Sequence, residues 1–290
     1  MELGMKKLED KVAVITGAAS GIGFAIATQA LERGMRIVVA DINPSALEQA
    51  VDSLGGGNSV LAVVTDVSSR ASVQNLAQRT KESFGAVYLL FNNAGVGGGG
   101  PVWEQSEAEW DFVLGVNLKG VVNGVSVFTP DMIDQREGHI VNTASIAGLV
   151  SSRDTSTYGV SKHGVVALSE ILLGDLQAIQ SPVGVSVLCP SFVNTNIYKM
   201  SGDRGDQDKA EATAEQQAEL DAVEQMIGEF FQNALSPDAV AEQVFESIAQ
   251  NRFYILTHPE GSRVQIEERM RGILEGVVPA IVPSGGFPLS

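Results

Sequence analysis

Short apolar runs, each followed by a stretch of helical periodicity, constrain this chain more than any other feature. The runs are KVAVITG (11–17), RIVVAD (36–41), SVLAVVTDV (59–67), VYLLFNNAG (87–95), GHIVNTAS (138–145) and VGVSVLCPS (183–191), with RFYILT (252–257) later. They are rich in β-branched residues and their apolar centres carry no charge, the pattern of strands buried on both faces. Between them, helical spacing covers Ile22–Arg33, Ser45–Leu54, Arg70–Ser83, Trp110–Phe128, Thr157–Ile179 and Pro237–Gln250. Regular β-α-β alternation requires parallel strands, right-handed crossovers and helices on both faces of the sheet. No internal repeat and no Pro/Ser linker interrupts it, so residues 1–290 read as one domain.

Two stretches depart from the alternation. Residues 195–231 are helix-prone, acidic and broken by SGDRGDQDKAEA, and read as an insertion forming a lid over the substrate. The tail at 277–290 is apolar and proline-rich, and reads either as coil or as a surface packed on another subunit.

The formal charge of −16 disfavours phosphate backbones and anionic lipid, so neither nucleic acid nor a membrane is an expected partner. A single cysteine, Cys189, cannot form an internal disulfide and lacks the spacing of a zinc site. His139 and His258 read as lying near strand ends without partners, so no metal site is expected. No apolar stretch long enough for a signal peptide precedes Glu9-Asp10-Lys11, and no run approaches the roughly 18 apolar residues of a membrane span. The expected location is the cytoplasm.

TGAASGIG (16–23) joins the first strand to the first helix. Gly17, Gly21 and Gly23 permit a tight turn and close ligand approach, and the helix start offers free N–H groups to a pyrophosphate. Asp41 ends the second strand about 20 residues further on, where a carboxylate accepts hydrogen bonds from an adenosine ribose and repels a 2′-phosphate. Ile42, Asn43 and Pro44 follow, with no basic residue, so the charge pattern favours NAD over NADP.

STYGVSK (156–162) places Tyr158 four residues ahead of Lys162, on one helix face. A phenol with an ordinary pKa near 10 is a poor base at neutral pH, and a neighbouring ammonium favours the phenolate. Lys162 is therefore expected to lower the pKa of Tyr158 towards the range in which it exchanges protons.

Together with TGAASGIG, Asp66-Val67, NNAG at 92, Asn117 in GVNLKG, Ser145, Tyr158, Lys162 and CPSFVNT from 189, the chain resembles the short-chain dehydrogenase/reductase family. The matches run in family order over residues 12–195, about two thirds of the chain. The resemblance implies an α/β fold: a single Rossmann-type, doubly wound domain with a seven-stranded parallel sheet and helices on both faces. It implies a catalytic set of Asn117, Ser145, Tyr158 and Lys162. Tyr158 is the acid/base, Ser145 holds the substrate oxygen, Lys162 also bonds the nicotinamide ribose, and Asn117 with Lys162 connects a water to the relay. It places the dinucleotide against Gly17, Ser20, Gly21, Ile22, Gly23, Asp41, Asp66, Val67, the Asn92-Asn93-Ala94-Gly95 segment, Tyr158, Lys162, Pro190, Val193 and Thr195.

The family's proline-glycine after the sixth strand is here Pro190-Ser191, so that loop is expected to differ slightly. Alanine is frequent in the family where this chain has Gly159-Val160-Ser161, with little effect expected. His163 points off the Tyr158 face and reads as structural.

Val96, Ile146, Phe192, Tyr198 and Met200 are the candidate substrate-lining residues, and suit an apolar or aromatic alcohol or ketone. GVGGGG (95–100) reads as room or flexibility beside them. GVNLKGVVNGVSVFTPDMI (115–133) and FYILTHPE (253–260) resemble a subgroup that includes bacterial lignin Cα-dehydrogenases. The function implied is NAD-dependent interconversion of a secondary alcohol and its ketone. The alternatives are an NADP-preferring carbonyl reductase, a non-catalytic dinucleotide-binding regulator, and a Rossmann-type methyltransferase, which would not require the four catalytic-type residues together. Family members pair long helices into homodimers or homotetramers, and Trp110–Phe128 and Thr157–Ile179 are the candidates for such pairing.

Overall fold

The computed structural model describes residues 5, 7–195, 197, 234–278 and 281. Seven strands form one sheet in the order β3-β2-β1-β4-β5-β6-β7. They are β1 (Val12–Thr16), β2 (Arg36–Asp41), β3 (Val60–Val64), β4 (Leu89–Asn92), β5 (His139–Thr143), β6 (Gly184–Cys189) and β7 (Tyr254–Leu256). Every neighbouring pair is parallel. The fold is therefore Rossmann-like, as the alternation requires.

The helices are α1 (Gly21–Glu32), α2 (Pro44–Leu54), α3 (Arg70–Phe84), α4 (Glu107–Leu114), α5 (Gly120–Gln135), α6 (Ser156–Ala178), α7 (Pro237–Ala249) and α8 (Pro259–Glu275). A π-helical turn, Gly115–Lys119, joins α4 to α5 without a break.

The strand period of two divides the core. Ala13 and Ile15 of β1 face Ile26 of α1 and Val240 and Phe245 of α7. Val12 and Val14 belong to the opposite layer, with Leu76 of α3, Phe128 and Met132 of α5, and Leu172 and Leu176 of α6. All five β1 side chains are thus buried, each large one contributing about 1.5–3 kcal/mol. The Phe91 and Phe245 rings meet at 5.9 Å between centroids, tying β4 to α7.

The helix spanning 107–135 is long and apolar enough to cross a membrane, but half of its most apolar window is buried inside the fold. Its Val113, Asn117, Val121, Phe128 and Met132 are buried, so core packing accounts for its apolarity.

Several helix starts are closed locally. The side chains of Asn43, Ser69, Ser106 and Ser236 cap α2, α3, α4 and α7, and Pro44 and Pro237 supply the fixed φ of a first turn. The periodicity did not reveal α8. That helix buries only Ser262 and Gly272, so its apolar residues trace no inward stripe.

His139 and His258 are partnered, contrary to expectation. His139 Nε2 lies 2.8 Å from Ser186 Oγ, whose hydroxyl donates to the Arg252 carbonyl. His258 Nδ1 lies 2.9 Å from Thr257 Oγ1. Among the described residues no group of three or more His, Cys, Asp or Glu side chains is placed to hold a metal.

Candidate active site

β1 and β4 are neighbours in space, yet the chain leaves β1 towards β2 and β3 on one side and β4 towards β5, β6 and β7 on the other. In an open parallel sheet this reversal opens a crevice at the carboxyl ends of the strands. The glycine turn follows β1 there, and the Asn-Asn-Ala-Gly segment follows β4.

The two segments are built against each other. Gly17 takes φ +64°, and a Cβ on it would lie 2.7 Å from Ala94 Cα. A Cβ on Gly23 would lie 2.2 Å from the Gly17 carbonyl oxygen. The Thr16 hydroxyl donates to the Phe91 carbonyl and accepts the N–H groups of Asn93 and Ala94. Asn93 Nδ2 donates to the Thr16 and Gly17 carbonyls at 3.1 and 3.3 Å. Thr16 was not singled out in the sequence. A buried threonine ending a strand beside the turn is its only local signal.

Asp41 turns its carboxylate to the same crevice, where Oδ2 accepts the Ala19 N–H at 3.2 Å and Oδ1 that of Asn43. Ser20 occupies the N-cap position of α1, but its hydroxyl caps nothing. The first-turn N–H groups and the positive end of α1 therefore face the crevice without a side-chain acceptor. Gly21, at φ +56°, abuts the Thr195 side chain across it, and half-buried Ile22 opens the helix. This glycine-shaped, uncapped cradle with a ribose-type carboxylate beside it fits a dinucleotide.

Asp66 and Val67 lie at the end of the β3 connection. Asp66 Oδ1 accepts the Ser68 N–H and hydroxyl, and Asn123 Nδ2 donates to the Val67 carbonyl. Asn92, read with the adenosine side, instead has its side chain in the core. Its Nδ2 donates to Asn142 Oδ1 at 2.8 Å, because α5 approaches so closely at Gly124 that a Cβ there would meet Asn92 Oδ1.

The four catalytic-type residues converge at this end of β4, β5 and β6. Ser145 follows β5, is 7 % exposed, and bonds the phenol of Tyr158 from the start of α6. Lys162, one turn further along α6, is 2 % exposed and donates through Nζ to the Thr143 carbonyl at 2.9 Å. Its Nζ stands 5.5 Å from the centre of the Tyr158 ring. Asn117 sits in the π-helical turn, fully buried. Its Oδ1 accepts the Val96 N–H at 2.8 Å, and its Nδ2 donates to the Val96 carbonyl and to Ser161 Oγ.

The electrostatics differ from the expected picture. Burial raises the Tyr158 phenol above its ordinary value and outweighs the Ser145 hydrogen bond that favours phenolate. Burial also pushes Lys162 down to about 8. The ammonium lies over the ring and is engaged by the Thr143 carbonyl, and burial prevails at the phenol, so the protein alone does not bring the phenol down as expected. Cys189, buried at the end of β6, is pushed up to about 12 by desolvation and remains a neutral thiol at physiological pH.

Pro190 accepts the Ile146 N–H at 2.8 Å, and Val193 is buried beside Leu235. Ser191 is not among the residues at positive φ, so serine replaces the family's glycine there without strain. Val96 and Ile146 are buried, Phe192 is half-buried, and Tyr198 and Met200 lie outside the described residues. The 195–231 insertion and the 277–290 tail also fall outside them, apart from Thr195, Ile197, Val277, Val278 and Ile281.

The glycine run provides close packing rather than room. A Cβ on Gly98 would meet Thr157 Oγ1 at 2.5 Å, and one on Gly99 would meet the Asp154 carbonyl at 2.6 Å. Gly100 N–H donates to that same carbonyl at 2.7 Å. The glycines let this loop lie directly on the segment that leads into Tyr158. His163 bonds the Gly159 carbonyl of its own helix through Nδ1 and touches neither Tyr158 nor Lys162 by hydrogen bond.

Residues 11–205, more than half of the chain, match the family model of the short chain dehydrogenases. The chain belongs to the short-chain dehydrogenase family. It is thereby an oxidoreductase by family. A short-chain dehydrogenase/reductase from Burkholderia phymatum, solved in complex with NAD, is 44 % identical, covers 99 % of this chain and 100 % of its own, and superposes with a TM-score of 0.85. A dehydrogenase/reductase of CLA biosynthesis from Lactiplantibacillus plantarum is 36 % identical over 280 residues, 96 % of this chain and 98 % of that protein. A C alpha-dehydrogenase from Sphingobium sp. strain SYK-6 is 34 % identical over 279 residues, 95 % and 89 % of the two chains. The resemblance to bacterial Cα-dehydrogenases read from 115–133 and 253–260 is borne out by that last relative.

Proposed function

We propose that this short-chain dehydrogenase interconverts a secondary alcohol and its ketone with NAD, using Tyr158 as acid/base. The observation that carries the proposal is the convergence of Ser145, Tyr158 and Lys162 beside the crevice where the glycine turn and Asp41 meet. Gly17, Ser20, Gly21, Ile22 and Gly23 would receive the pyrophosphate. Asp41 would receive the adenosine ribose, with Asp66, Val67, Asn93, Ala94 and Gly95 along the adenosine side. Lys162 would bond the nicotinamide ribose, with Pro190, Val193 and Thr195 beside the nicotinamide. When bound, oxidised nicotinamide supplies a hydride acceptor and a positive charge.

Ser145 would hold the substrate oxygen while Tyr158 takes its proton in oxidation and returns it in reduction. Burial favours the neutral phenol, so Tyr158 is suited to donating in reduction. Oxidation needs the phenolate, which nearby positive charge stabilises. Lys162, though lowered to about 8, remains largely cationic at neutral pH and contributes to that field. The NAD-bound Burkholderia relative and the carboxylate of Asp41 support NAD as the dinucleotide. The buried apolar side chains of Val96 and Ile146, two of the candidate lining residues, support an apolar or aromatic substrate.

The test is absorbance of reduced nicotinamide against a panel of secondary alcohols and ketones, with NAD and NADP compared. The reading predicts turnover of an aromatic secondary alcohol such as 1-phenylethanol with NAD preferred. A preference for NADP would contradict the role given to Asp41. No turnover across the panel, with the dinucleotide bound, would favour the non-catalytic reading.

A further inference from the structure

We propose, on the reading of Tyr158 and Lys162 as the acid–base pair, that Ser161 is a positioning residue which holds that pair in register with the Gly95–Val96 loop through Asn117. Ser161 is fully buried and lies in α6 between the two. Its hydroxyl lies 2.6 Å from the Tyr158 carbonyl. A carbonyl only accepts, so the serine proton points there, and the oxygen is left to accept Asn117 Nδ2 at 3.1 Å. That fixes the asparagine amide with its oxygen towards the Val96 N–H, where it accepts at 2.8 Å, and its other N–H on the Val96 carbonyl. Each donor in this chain has one acceptor, and the directions are mutually consistent.

The loop so held passes directly beside the reactive pair. A Cβ on Gly95 would lie 3.4 Å from Asn117 Oδ1 and 3.5 Å from Lys162 Nζ. The same loop continues into Gly98, which fits against Thr157, the residue before Tyr158. Any slack between α6 and this loop therefore moves the phenol and the ammonium relative to the crevice. Ser161 links the two: its hydroxyl donates to the Tyr158 carbonyl and accepts from the asparagine that clamps the loop.

Two turns along the same helix, the construction recurs without the chemistry. Ser169 is fully buried, donates to the Val165 carbonyl at 2.7 Å and accepts Asn142 Nδ2 at 3.0 Å. Its partners lead to Asn92 in the core rather than to the crevice. Ser169 is thus an internal control for what such a bond does when its role is packing alone.

Ser161→Ala, Ser161→Cys, Ser169→Ala, Asn117→Ala and the Ser161→Ala/Asn117→Ala double variant would be compared using 1-phenylethanol and NAD. Ser161→Ala is expected to lower kcat roughly 10- to 100-fold with the KM for NAD nearly unchanged, since small misplacements at a reacting centre cost about that much. Ser161→Cys, a near-isostere with a weak donor, falls between, and Ser169→Ala leaves kcat within about twofold because it perturbs only packing. In the Asn117→Ala background the loss from Ser161→Ala shrinks to about twofold, the non-additivity of a shared path. A kcat in Ser161→Ala no lower than in Ser169→Ala, or an equal factor of loss in both backgrounds, overturns the proposal.

Amide hydrogen exchange at Val96 gives a readout that needs no substrate. It is expected to accelerate roughly tenfold or more in Ser161→Ala and not in Ser169→Ala. Unchanged exchange in Ser161→Ala sinks the positioning role, whatever the activity. Accelerated exchange in a protein that turns over no alcohol would instead count against the proposed function. If Ser161→Ala does not fold, both comparisons are made with Ser161→Cys.

Discussion

Removing the Ser145 hydroxyl should slow alcohol oxidation by one to two orders of magnitude. Burial drives the Tyr158 phenol upwards, and the Ser145 hydrogen bond is the counterweight that favours the phenolate. A hydrogen bond to a charged group contributes about 1.5–3 kcal/mol in a buried setting. At about 1.4 kcal/mol per tenfold, Ser145→Ala should reduce kcat about 10- to 150-fold. The phenol, freed of that bond, climbs further, so the rising limb of the oxidation pH profile should move to higher pH. The hydroxyl also accepts the Ala147 N–H at 3.2 Å, so Ser145→Thr, which keeps an oxygen there, separates local folding from chemistry. The assay is steady-state reduction of NAD by 1-phenylethanol across the pH range, with dinucleotide affinity measured separately by fluorescence of the reduced form. A kcat within about threefold of wild type at every pH would refute the reasoning. So would a raised KM at unchanged kcat, the signature of uniform binding.

Two further outcomes follow from the geometry. Gly23→Ala puts a methyl 2.2 Å from the Gly17 carbonyl oxygen and 2.6 Å from Asn93 Nδ2, so the turn must open. Reduced dinucleotide should then bind at least about tenfold more weakly by fluorescence titration, an overpacking effect of about 1–3 kcal/mol, and unchanged affinity would contradict the cradle. His139, buried against Ser186, is lowered by desolvation from 6.5 to about 4, so the unfolded chain takes up its proton first. That part of the stability is fully present above about pH 6.5 and is lost as pH falls towards 4; by linkage it amounts to about 2 kcal/mol between pH 7 and 5. Urea unfolding of wild type and His139→Gln should show this as extra acid sensitivity in the wild type alone, and parallel curves would contradict it.

The parts of the fold legible in the sequence were those whose signal is local. The five inner strands announce themselves because burial on both faces demands apolar runs, and β2 coincides with RIVVAD itself; the edge strands β3 and β7 keep the apolar run though each buries only one residue fully. The turn at 16–23 and Asp41 could be placed because one strand and one helix fix their separation. Helix α8 was missed because Met270, Ile273 and Leu274 face outwards, leaving no buried stripe to count. The glycine run misled for a related reason: glycine signals flexibility alone and close approach in company, and only the proximity of Asp154 and Thr157 decides. The pairing of Tyr158 with Lys162 was readable from helical spacing. The balance between burial and charge at the phenol was not, because desolvation depends on everything packed around it. The π-helical turn at 115–119, and with it the turning of Asn117 towards Val96 and Ser161, has no marker in the residues themselves.

The most direct test of proton exchange at Tyr158 is the Tyr158→Phe variant, which removes the hydroxyl and keeps the ring. Reduction of NAD by 1-phenylethanol would be measured together with fluorescence titration of the reduced dinucleotide. The predicted result is a fall in kcat of about 10²- to 10⁴-fold, the range of a lost general acid–base, with dinucleotide affinity preserved. Turnover at the wild-type rate, with the dinucleotide still bound, would contradict it.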